Sequence, residues 1–180
     1  MSKSKTFCQE KFKSQLLAAS VTMAVVFLMS LSDMLIAGNM VGESAIVGIN
    51  LVTPLLTLIA FVSMMIGTGT AYRFSYEMGS FHQEKAARFI GQGFLLALGA
   101  SVVMFVAVFF GQEAYCRFAQ ASEDVMAYLR GYYTWFPNVA ATYPLFILIQ
   151  DLVYADGGTK ICTYANMAQV FGNIGISIVA

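Results

Sequence analysis

Apolar stretches of membrane-crossing length recur along this chain, each bounded by charged or turn-forming residues, and they constrain its fold more than any other feature. They cover residues 15–38, 44–72, 87–111, 125–153 and 161–180. About twenty apolar residues in a helix span about 30 Å of hydrocarbon, where only helices and closed barrels satisfy their own backbone. A soluble core of 180 residues could not bury this much apolar side chain: 58% of residues are hydrophobic, 11% are charged, and the mean hydropathy is +0.70. The expected class is all-α, a polytopic helical membrane protein. The first stretch is too long for a signal-peptide core and lacks a small-residue cleavage site, so it is expected to remain as a span.

Several function classes fall away at this point. A formal net charge of zero, with basic residues at span ends, offers no footprint for nucleic acid. Cys8, Cys116 and Cys162 are odd in number and far apart, which fits neither a disulfide framework nor a zinc pattern. His82 is the only histidine, leaving no metal set and no nucleophilic triad. Gly67 and Gly69 in GTGT are not followed by the GK[ST] of a phosphate loop. Neither an enzyme nor a bound cofactor is expected.

Basic residues set the expected orientation, because cytoplasmic loops retain Lys and Arg. Lys3, Lys5, Lys11 and Lys13 precede the first span, Arg73, Lys85 and Arg88 lie between the second and third, and Lys160 precedes the fifth. The other side carries Glu43, Glu113, Glu123 and Asp124 against Arg117 and Arg130. This predicts a multi-pass protein of the plasma membrane with a cytoplasmic segment over 1–14 and an extracytoplasmic Cys116. Within the first span, Asp33 is a carboxylate in an otherwise apolar run. A charge there costs about 2.5 kcal/mol or more on insertion scales, so such residues mark ion or proton pathways. The rise from Leu16 at about 1.5 Å per residue places Asp33 roughly 25 Å in, in the outer half of the membrane. Asp151 falls near the opposite face by the same topology, too far to form a carboxylate pair with Asp33.

Helical spacing adds polar stripes. Asn50, Thr53, Pro54 and Thr57 follow i, i+3, i+4, i+7; Thr134, Asn138 and Thr142 repeat the pattern beside Pro137 and Pro144; Asn166, Gln169, Asn173 and Ser177 keep to one face. Single polar residues of this kind commonly make interhelical hydrogen bonds. Several stripes together with Asp33 point to a polar cavity, with Asn50, Thr53, Asn138, Thr142, Asn166 and Gln169 as candidate lining. Gly93, Ala97 and Ser101 recur at i+4 and predict close helix packing. Asp156-Gly157-Gly158 reads as a turn closing the fourth span.

Four segments together resemble a known family. SDMLIAGNMVGESAIVGINLVTPL, GTGTAYRFSYEMGSFHQEKAAR, YADGGTK and FGNIGIS are similar, in order and spacing, to the amino-terminal half of multidrug and toxic compound extrusion (MATE) transporters. The resemblance implies a twelve-helix exporter of two six-helix lobes, which exchanges bulky, often cationic organic molecules for protons or sodium by alternating access. Asp33 matches the first-span carboxylate of cation coupling, and Asn173 matches an asparagine of the same polar network. Ser177 stands where many relatives carry an Asp, and is the third candidate for proton or cation binding. Because the run at Ala180 is still apolar, the expectation is a partial amino-terminal lobe over 15–180, with about five of six helices. Such a lobe would need the second lobe or another copy as partner, besides lipid and a small organic substrate. Two alternatives stand beside it: a lipid-linked oligosaccharide flippase of related fold, and a non-transporting membrane remnant.

Overall fold

The computed structural model describes residues 43–118 and 123–179, together with positions 9, 12–13, 16–17, 20, 23–24, 27–28, 30–31 and 34–35, all of them helical. Within the continuously described residues 43–118 and 123–179 the helices are, in order, α1 Glu43–Gly79, α2 Gln83–Phe118, α3 Glu123–Tyr133, α4 Phe136–Ala155 and α5 Thr159–Val179. No strand occurs among the described residues. Within them, 46–79, 83–118 and 136–155 are long and apolar enough to cross a membrane. The all-α membrane class read from the sequence is what the chain adopts.

The chain divides into two compact units, 1–40 with 160–180 and 41–159. In the second, α1 and α2 form an antiparallel hairpin, α4 packs against both, and α3 lies mainly on α1. The hairpin turn is closed by backbone bonds from His82 N–H to Glu77 O at 2.9 Å and from Phe81 N–H to Met78 O at 3.1 Å. Across it, His82 Nδ1 lies 3.3 Å from Glu77 Oε2. Phe81 has φ 61° and is 91% exposed, a left-handed conformation that costs a residue with a Cβ roughly 1–2 kcal/mol.

Small residues set the closest approaches. Gly93, Ala97 and Ser101 are all buried on α2, as their spacing predicts. A Cβ at Gly93 would overlap Thr70 Cγ2 and come within 2.6 Å of Thr70 Oγ1, so the hairpin can be this tight only with glycine there. Val52, Ile59, Ser63 and Thr70 form the buried ridge of α1. Around Val52 and Ile59 the core continues through Cys116, Val125, Leu129, Phe136 and Ala140. Pro54 sits inside α1 and lacks the N–H that the Asn50 carbonyl would use. One residue on, the Leu51 carbonyl accepts a 2.7 Å hydrogen bond from Tyr115 Oη of α2.

The fourth apolar stretch corrects its sequence reading. Instead of one helix over 125–153, it forms α3 and α4 with a break at Thr134 and Trp135. Pro137 has no N–H to offer the Tyr133 carbonyl, so the helix cannot run through; the same proline suits the first turn of α4. Trp135 O accepts from the N–H groups of Asn138 and Val139 and restarts the ladder. At its other end α4 closes with Gly157 at φ 90°, Gly157 N–H to Tyr154 O at 3.1 Å and Gly158 N–H to Val153 O at 2.8 Å. These bonds make the glycine-dependent Schellman cap that Asp156-Gly157-Gly158 predicts.

Candidate functional site

The predicted cavity-lining residues of the 41–159 unit lie on helix faces that the unit itself leaves open. Asn50 and Thr53 on α1 and Asn138 and Thr142 on α4 are all exposed. Among the described residues their threonines make no hydrogen bond across helices. Thr53 Oγ1 donates to Ile49 O at 2.8 Å, Thr57 Oγ1 to Thr53 O at 2.9 Å, and Thr142 Oγ1 to Asn138 O at 3.0 Å. Each hydroxyl therefore satisfies its donor on its own helix and keeps lone pairs free outward. That arrangement lets a polar face survive in an apolar setting and still accept hydrogen bonds from a ligand.

In the other unit, Asn166 is half-buried and Gln169 exposed on α5. Asn173 and Ser177 fall on the same helix, with side chains outside the described residues; Asp33 lies outside them altogether. Among the described residues no group of His, Cys, Asp and Glu could hold a metal.

A carboxylate that is not among the site residues expected from sequence stands between α1 and α4. Asp151, half-buried on α4, accepts a 3.1 Å hydrogen bond at Oδ2 from Thr68 Oγ1 of α1. Gly67 makes room for it, since a Cβ there would lie 2.7 Å from the same oxygen. The signal was the one that singled out Asp33, an acid inside an apolar run, here LFILIQDLVYA. With one lone pair of Oδ2 taken by the Thr68 hydroxyl, the remaining lone pairs of Asp151 can take a proton or a cation.

The sequence profile of the MatE family matches residues 18–179, nearly the whole chain. The chain belongs to the MatE family. It is a MATE-type membrane transporter protein, which accounts for its apolar helices and for the polar faces they carry; the family comprises transporters rather than enzymes. No curated protein and no solved structure gives a significant match.

Proposed function

We propose that the chain acts as the amino-terminal part of a secondary antiporter, which exports drugs or other organic cations from the cell across the plasma membrane in exchange for protons or sodium. The observation that carries this reading is the pair of polar faces on membrane-length helices, Asn50–Thr53 and Asn138–Thr142, left uncovered by their own unit in a MatE-family chain. Leaving amide side chains against hydrocarbon is costly. A second lobe, or another copy, is the wall that would turn these faces into a cavity. Asp33, with Asn173 and Ser177, is the proposed coupling-ion site. Ion binding there competes with the solute by altering the lobe, and the solute leaves outward.

The test is gradient-driven efflux of ethidium or norfloxacin from cells expressing this sequence together with its second lobe, with and without Asp33→Asn. Loss of efflux at matched membrane expression is expected. Undiminished efflux in the variant would remove Asp33 from coupling, and absence of gradient-dependent efflux from the parent would remove the antiporter reading.

A further inference from the structure

At the end of the bundle opposite the Phe81 hairpin, α2, α3 and the start of α4 border an open cleft of about 350 Å³. Its apolar wall is Phe109, Cys116, Met126, Leu129 and Pro137; its polar wall is Gln112, Glu113, Arg130 and Thr134. The break between α3 and α4 at Thr134 and Trp135 lies at its rim, with Thr134 and Pro137 both in the lining. The volume lies at the lower end of the range for small-molecule sites, which pair an apolar lining with a few placed polar groups.

The charges on this wall are opposite and unspent. Glu113 on α2 and Arg130 on α3 both line the cleft, yet the only ion pair among the described residues is His82 with Glu77. Gln112 Oε1 is buried with no hydrogen-bond partner among the described residues, although buried polar atoms nearly always have one. Thr134 Oγ1 is turned back to Arg130 O at 3.2 Å. The wall thus offers a carboxylate to a cation, a guanidinium to an anion, and an aromatic ring with a thioether and a thiol to an apolar body.

We propose that this cleft binds a small zwitterion, an α-amino acid with an apolar side chain. Its ammonium meets Glu113, its carboxylate meets Arg130 in the forked geometry guanidinium favours, and its side chain lies between Phe109 and Met126. A singly charged ligand of the same size leaves one of the two wall charges unanswered. The site does not draw on Asp33 or on the open faces of α1 and α4, so it stands apart from the transport reading.

The experiment is thermal unfolding of the purified chain in detergent with L-phenylalanine, phenethylamine or 3-phenylpropionate at equal concentrations. A ligand that binds only the folded state raises the midpoint in a concentration-dependent way. L-Phenylalanine should raise it at concentrations about tenfold or more below those needed by either singly charged analogue. Both Glu113→Gln and Arg130→Gln, at exposed positions, should shift the L-phenylalanine response up about tenfold while leaving the ligand-free midpoint near that of the parent. Equal responses to the three compounds, no response to L-phenylalanine, or an unaltered response in both variants would overturn the proposal.

Discussion

Substituting Gly93 by alanine tests the packing logic of the hairpin most directly. The added Cβ would overlap Thr70 Cγ2 and come within 2.6 Å of Thr70 Oγ1 and 3.0 Å of Thr70 Cβ. Rotating Thr70 gives little relief. Its hydroxyl is held by a 2.7 Å bond to Ile66 O, and its Cβ does not move with χ1. Carbon atoms sit comfortably at about 3.5–4.0 Å, so the helices must part by about 0.5–1 Å on the Cβ contact alone. Overpacking of this kind costs about 1–3 kcal/mol, against about 1 kcal/mol gained by replacing glycine inside a helix. Gly99 on the same helix supplies the control, since a Cβ there meets nothing within 4 Å and only the favourable part remains. Gly93→Ala should therefore be about 1–3 kcal/mol less stable than Gly99→Ala. Thr70→Ala, which removes two of the three clashing atoms, should recover part of that deficit when combined with Gly93→Ala. The measurement is resistance of the purified chain to sodium dodecyl sulfate, followed by circular dichroism, analysed as a double-mutant cycle. Equal stability of the two alanine variants, or strict additivity with Thr70→Ala, would refute the reasoning.

Thr68→Val keeps the shape of the side chain but removes the donor to Asp151. It should cost about 1.5–3 kcal/mol in the same titration if the carboxylate is ionised, and an unchanged midpoint would show that the clasp contributes nothing. Phe81→Gly should stabilise the chain by up to about 1 kcal/mol, because relief of the left-handed φ exceeds the added freedom of the unfolded chain; destabilisation would mean that the exposed ring has a partner. For topology, Phe81→Cys and Phe118→Cys, 91% and 86% exposed, can each be introduced into a background with Cys8, Cys116 and Cys162 replaced by serine. A membrane-impermeant maleimide applied to intact cells should label the cysteine at 118 and spare the one at 81; the reverse pattern would invert the orientation. Cys116 itself is only 4% exposed and would report poorly.

The fold was legible wherever a single helix carries its own signal. Apolar length showed the membrane-length helices over 46–79, 83–118 and 136–155, and the Gly93, Ala97 and Ser101 repeat gave the buried face of α2. Helix ends were less visible: α1 and α2 run on to Gly79 and Phe118, past the apolar windows, because helical backbone bonding does not stop where hydropathy does. The division into α3 and α4 could have been read from Pro137, whose missing N–H acts locally. Contacts that depend on how two helices register were not readable. Nothing in the sequence places Asp151 beside Thr68, eighty-three residues away, and the threonine stripes gave no sign that their hydroxyls turn back onto their own helices.

Gly67 and Thr70 are less than one turn apart on α1, yet one receives α4 through Asp151 and the other receives α2 through Gly93. Near its other end α1 is tied again, by Tyr115 Oη to Leu51 O. A helix indexed at both ends in this way cannot roll about its own axis without displacing two neighbours together. Whatever reorientation the unit undergoes, α1, α2 and α4 then travel as a single block, and the bearing on which that block turns must be sought beyond their mutual interfaces.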